Sequence, residues 1–179
     1  MKPLLTVLLA LFMAMTAVAQ TNRIYIEDFE IYPDSVATVG VLLSSTDETR
    51  GVQFNMSLPQ GLSIADYELS EMAEDMGMYM TLSGDKQNRN YTVVIIPHSI
   101  VCFEPGQFSV MTLTIAASRD FQGGEIEFWK VRGSTMENKS IVMDDAMTRV
   151  SVPESALIGI PIDMQQADGQ MFQSNDHPF

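Results

Sequence analysis

The sequence predicts an all-β protein, an antiparallel β-sandwich of about nine strands with at most one short helix. Two observations carry this. Beyond residue 20 the hydrophobicity alternates with period two almost throughout, which sends successive side chains to opposite faces of a sheet. Clusters of Gly, Pro, Asn and Asp then cut the alternation into short runs, and no helical run separates consecutive strands as a parallel βαβ unit would require.

The first strand is read at Ile24 and Ile26, alternating with Tyr25 and Glu27 and broken at Pro33-Asp34. Val39, Val41 and Leu43 alternate up to the polar turn Ser44–Arg50. The best-patterned strand follows, with Val52, Phe54, Met56 and Leu58 interleaved by Gln53, Asn55 and Ser57. Pro59-Gln60-Gly61 ends it, because proline lacks a ladder donor and glycine accepts positive φ. Another strand runs over 62–67. Ser70–Gly77 is the one helical candidate: Ser70 caps, Glu71 and Glu74 lie near the first turn, Met72 and Met76 share a face, and Gly77 stops it. Extended structure resumes over 78–83, turns through a loop at 84–88, and returns over Tyr91–Pro97. Phe108–Ala117 is the next strand, read with Phe108, Val110, Thr112 and Thr114 on one side and Met111, Leu113 and Ile115 on the other. Residues 125–132 form one more, and 140–152 hold the last one or two.

The ends differ in kind. Lys2 followed by the uncharged run Pro3–Ala19, closing on Ala17-Val18-Ala19, predicts a signal peptide over 1–19 cleaved before Gln20. The domain is expected over 20–152. From Pro153 the pattern fades, so 153–179 reads as a flexible C-terminal tail in which 157–162 docks on an edge.

Composition removes several classes of function. The 179 residues carry 23 acidic against 10 basic side chains, a formal charge of −13, which repels phosphate backbones and argues against nucleic acid as a partner. Past the signal segment no run approaches the ~18 apolar residues of a transmembrane span. With Cys102 the sole cysteine, neither an intrachain disulfide nor a multi-thiolate metal site can form. The domain must fold on its hydrophobic core, and a chain of this size buries about 70% of its unfolded surface.

The order of segments resembles the cohesin-like domains of secreted bacterial proteins, within the immunoglobulin-like carbohydrate-binding sandwiches. Ile26-Glu27-Asp28-Phe29-Glu30-Ile31 and Val39-Gly40-Val41-Leu42-Leu43 carry the start of the resemblance. Gly51-Val52-Gln53-Phe54-Asn55-Met56-Ser57-Leu58-Pro59-Gln60-Gly61-Leu62 is similar to the family's strand ending in Leu-Pro-x-Gly. Tyr91–Ser99, Gly106–Ala117 and Phe121-Gln122-Gly123-Gly124-Glu125-Ile126 match later segments, so the likeness spans about 23–152. It implies a cohesin-like, jelly-roll type of sandwich whose function is binding, of a polysaccharide or of a dockerin-type protein. It also implies that the strand at 52–58 shares a sheet with those at 91–97 and 125–131.

The expected binding face is therefore the outer side of that strand, Gln53, Asn55 and Ser57, joined by Glu127 and Trp129. Alternation places Trp129 outward with Glu127, where an aromatic ring can anchor a partner. A bulge after Phe128, or burial beneath the tail, would instead turn it inward. Catalysis finds little support: His98 and His177 are the only histidines, and there is no Gly-x-Ser-x-Gly elbow, His-Glu-x-x-His helix or phosphate loop. His98-Ser99 are adjacent at a strand end and so point to opposite faces.

Glu125 and Glu127, about 7 Å apart by strand rise, leave a carboxylate-dependent glycoside hydrolase or lyase as the alternative, beside a structural subunit of a surface assembly. No cofactor is expected. Asp144 and Asp145 are the only calcium candidates, without an EF-hand loop around them. Cys102, between Val101 and Phe103, reads as a small buried hydrophobe. Asp34-Ser35-Val36 resembles the tripeptide that some Gram-negative anaerobes O-glycosylate, which makes Ser35 a candidate modification site. The signal implies export to periplasm, cell surface or medium.

Overall fold

The computed structural model describes residues 21–85 and 89–157. The segment 1–19 expected to be a signal peptide, the tip of the 84–88 loop and most of the 153–179 tail, including all but the first residue of the 157–162 stretch expected to dock on an edge, lie outside the described residues.

Eleven strands and two short helices follow in order: β1 (Arg23–Tyr25), β2 (Phe29–Glu30), β3 (Val36–Ser45), β4 (Gly51–Ser57), β5 (Leu62–Leu69), α1 (Glu71–Asp75), β6 (Met78–Asp85), β7 (Asn90–Pro97), β8 (Gly106–Ala117), β9 (Gly124–Ser134), β10 (Ser140–Val142), β11 (Ala146–Ser151) and α2 (Glu154–Leu157). One sheet has the order β1-β3-β8-β5, and the other β2-β11-β9-β4-β7-β6 with β10 also paired to β9. Pairing is antiparallel except for the two-residue β2, which runs parallel to β11. The count exceeds the expected nine because β2 and β10 are only two and three residues long, too short to show a period.

The sandwich is held by facing apolar rows. Val41, Leu43, Met111, Leu113 and Ile115 of the smaller sheet and Val52, Phe54, Met56, Val93, Ile95, Ile126 and Phe128 of the larger are all buried. Phe54 and Phe128 meet as a tilted pair with ring centroids 5.8 Å apart, an arrangement worth about 0.5–1.5 kcal/mol beyond burial. The turn after β4 is closed by Leu62 N–H donating to the Pro59 carbonyl at 3.2 Å, with Gly61 at φ +90°. Ser70 caps α1 as its sequence position predicts: its hydroxyl accepts from Ala73 N–H at 3.2 Å and donates to the Ser109 carbonyl at 2.6 Å. Met72 and Met76 pack on the core edge.

Three bulges interrupt the ladders, one of them at Ala65 of β5, and the other two correct the simple alternation. In β8, Val41 pairs with Met111 but Leu42 with Ser109, so Val110 is an inserted residue. Val110 and Met111 are then both fully buried, and Val110 does not stand on the outer side with Thr112 and Thr114 as strict period two predicts. In β9, Gln53 pairs with Arg132 but Asn55 with Trp129, so Lys130 and Val131 together oppose Phe54. Lys130 takes φ +53°, the backbone turn that absorbs the extra residue. Past the 153 boundary, Pro153 is buried, and the Ser155 and Tyr32 hydroxyls lie 3.1 Å apart.

Candidate binding face

Burial of the even-numbered side chains of β4 fixes where the odd ones go. Turning Val52, Phe54 and Met56 outward would forfeit roughly 1.5–3 kcal/mol each, so Gln53, Asn55 and Ser57 stand on the solvent side of the larger sheet, Gln53 exposed and the other two half-buried. β4 lies between β7 and β9, the neighbours that the family resemblance implies. Thr92 stands beside Asn55 on one side and Trp129 on the other. One step along the strands, Ser57 lies between Asn90 and Glu127. The structure thus gathers Gln53, Asn55, Ser57, Glu127 and Trp129 on one contiguous face.

The bulge decides Trp129. It comes at Lys130, one residue after the tryptophan, so Phe128 stays in register with buried Met56 and Trp129 with outward-facing Asn55. The ring is half-buried, and its indole N–H has no hydrogen-bond partner among the described residues. Thr92 Oγ1 donates to Asn55 Oδ1 at 3.0 Å, which orients the amide and leaves its N–H2 pair for a ligand. Beside Trp129, β9 and β11 frame a groove of about 320 Å³ lined by Glu127, Trp129, Asp145 and Met147. The rest of the face is flat and mixed: Thr81, Val94, Arg132 and the exposed Ile96 and Tyr79 complete the rows. A surface of this kind makes hydrogen bonds in register with a flat partner and offers one aromatic anchor.

Met147 and Arg132 escaped the sequence reading. In β11 the usual polarity is inverted: Met147 is 67% exposed, whereas Thr148 is fully buried and satisfied by donating to the Ile26 carbonyl at 2.6 Å. Arg132 regains the outer face only through the bulge.

The remaining candidates lie apart from this face or lack its setting. Glu125 and Glu127 are both exposed on β9, with Arg149 opposite Glu125, and of the two only Glu127 lines the groove beside Trp129. His98 and Ser99 are exposed beyond β7, and the His98 ring tilts against Tyr79 at 5.5 Å. Asp144 and Asp145 are exposed in the β10–β11 connection, and among the described residues no third carboxylate, thiol or imidazole joins them as a metal ligand. Ser35 donates to the Tyr32 carbonyl at 2.6 Å within a turn where Asp34 has φ +59°. Cys102 is half-buried rather than buried, with its thiol 3.9 Å from Glu48 Oε2. It sits in a loop whose neighbour Phe103 fills the core site in its place. Desolvation, reinforced by the Glu48 and Glu104 carboxylates, pushes the thiol pKa up from 9.0. No helix among the described residues is long and apolar enough to cross a membrane.

Comparison with solved structures shows a cohesin-like fold. A non-cellulosomal cohesin from the archaeon Archaeoglobus fulgidus superposes with a TM-score of 0.59 at 13% identity, covering 77% of this chain and 96% of that one. A chain of a type I cohesin–dockerin complex from Clostridium thermocellum gives 0.62 at 11% identity, covering 74% and 99%. A type II cohesin domain from the cellulosome of Acetivibrio cellulolyticus gives 0.56 at 10% identity, covering 72% and 94%. No protein-family model matches the chain, and comparison with curated proteins finds no match.

Proposed function

We propose that this cohesin-like sandwich is an exported, non-catalytic binding module that engages a dockerin-type protein partner through the outer face of its larger sheet. The observation that carries the reading is the convergence on that face of Asn55, its amide oriented by Thr92, with Trp129, which faces outward in register with Asn55. Support comes also from the solved structures that share the fold, several of which are complexes with dockerins. The half-exposed ring of Trp129 on a flat polar surface favours a second reading, a polysaccharide chain stacking on the same face.

Calorimetric titration against a dockerin panel and a panel of soluble glycans separates the two. Binding of a dockerin that falls at least tenfold in Trp129→Ala and in Asn55→Ala, with both variants melting close to the parent, supports the protein reading. Glycan binding with the same sensitivity replaces it with the second. If Trp129→Ala unfolds the domain and Asn55→Ala binds normally, the face is wrong. Any glycan turnover abolished by Glu125→Gln or Glu127→Gln overturns the non-catalytic assignment. Export is tested separately by mass spectrometry of the mature protein, which should begin at Gln20; an intact Met1 refutes it.

A further inference from the structure

We infer that the groove between β9 and β11 receives a lysine or arginine side chain of the protein partner, with its stem against Met147, its cation over the Trp129 ring, and Glu127 and Asp145 at the rim. The inference rests on the reading of this face as a protein-binding surface and specifies what the partner must bring. Four observations meet here. Met147 is 67% exposed directly opposite Glu127 in the β9–β11 pair, a soft apolar wall to the groove. Trp129 lines the same groove with its ring half-open. Among the described residues no cation covers that ring, the one cation–π contact being Arg23 over Tyr25 at 4.2 Å. Glu127 and Asp145 are exposed, and neither is in an ion pair, the one ion pair among the described residues being Lys139 with Glu137.

The chain's own nearby cations are placed elsewhere. Arg149 stands opposite Glu125, Arg132 lies beyond the bulge in the row of Gln53, and Lys130 occupies the bulge itself. An aromatic face, a polarizable thioether and two carboxylates together suit an alkyl stem that ends in a positive charge. The chain's formal charge of −13 draws such a group in from a distance. A neutral sugar could stack on the ring and donate hydroxyls to the carboxylates but would leave their two negative charges uncompensated, so the partner chemistry indicated is a basic protein segment.

Trp129 is the only tryptophan, so its emission reports on the groove directly. A tetra-arginine peptide titrated into the full domain at low ionic strength should change that emission saturably, while an uncharged tetra-citrulline peptide should not. Affinity should fall at least tenfold in Glu127→Gln/Asp145→Asn and severalfold in Met147→Ala. The matched control is Asp66→Asn/Glu68→Gln on β5 of the opposite sheet, which changes the net charge equally and should bind as the parent does. Equal loss in both double variants would mean that the peptide follows net charge alone and overturns the groove; an unresponsive Trp129 also overturns it. Amide shifts from a bound dockerin that move Gln53 and Asn55 but leave Trp129 and Met147 still would overturn the groove while the binding face stands. A dockerin that binds without moving any of these four residues removes both.

Discussion

Deleting Lys130 should leave this domain close to its parental stability, because that residue is the extra one in β9 and its loss restores one-to-one pairing with β4. The limb before it pairs with β11 and β4 through Ile126 and Phe128, and the limb after it pairs with β4 and β10 through Val131 and Gly133. All four of these residues are buried. Without Lys130, Trp129 still faces Asn55 and Arg132 still faces Gln53, while Val131 alone opposes Phe54, so neither limb slides and no side chain changes face. Deleting Val131 instead leaves Lys130 opposite Phe54. The burial of the valine is then lost, at about 1.5–3 kcal/mol, and a charged side chain is turned toward the core, at several more. The Val131 deletion therefore costs at least about 4 kcal/mol, against a total of roughly 5–15 kcal/mol for a typical domain.

Urea unfolding followed by Trp129 emission measures the loss. Lys130→Gly is the companion, since it keeps the extra residue. Glycine removes the ~1–2 kcal/mol that a side chain pays at positive φ and adds ~0.5–1 kcal/mol of backbone entropy. Its midpoint should stay within about 1 kcal/mol of the parent. A Lys130 deletion as unstable as the Val131 deletion, or a Val131 deletion with the parental midpoint, would refute the role of the bulge.

Two further outcomes are expected. Ser70→Ala should lower the unfolding free energy by about 1 kcal/mol, because the hydroxyl both caps α1 and ties it to the Ser109 carbonyl of β8; thermal melts should show Ser70→Thr recovering most of it, and an unchanged Ser70→Ala would deny the cap. Cys102 should react slowly with iodoacetamide between pH 7 and 8 although it is only half-buried, because a raised thiol pKa lowers the thiolate fraction at every pH below it. Glu48→Gln should speed the reaction by removing a negative neighbour and a thiol contact, and a rate equal to that of a free thiol would contradict the shift.

Much of the fold was legible because period-two patterning is a direct record of which side meets the core. β4 shows this best: each even residue from Val52 to Met56 is buried and each odd one from Gln53 to Ser57 faces out. The cap of α1 was legible for a similar reason, since a serine before an acidic turn acts through its immediate backbone neighbours. The candidate face was legible only where its residues sit on such strands. Gln53, Asn55, Ser57 and Glu127 follow from alternation, and their assembly across three strands from the family resemblance.

Met147 was not legible, because β11 puts its threonine inside. The Ile26 carbonyl that satisfies Thr148 comes from a segment 122 residues away. Cys102 looked like core for the opposite reason. Its apolar neighbours suggested burial, but one of them, Phe103, occupies the core site while the thiol turns toward Glu48.

The sequence by itself determined the fold class, the strand of best pattern, the acidic charge and the side chains that β4 offers to solvent, because these depend on local alternation and composition. The tertiary structure alone decided the three bulges, the exchange of Met147 and Thr148 between the faces of β11, and that the bulge in β9 falls after Trp129, which keeps the outward setting that alternation gives it. A bulge is a mismatch between two strands, so it exists only once β9 is paired with β4, and its position relative to residue 129 is fixed by the core that Phe128 and Val131 must both reach.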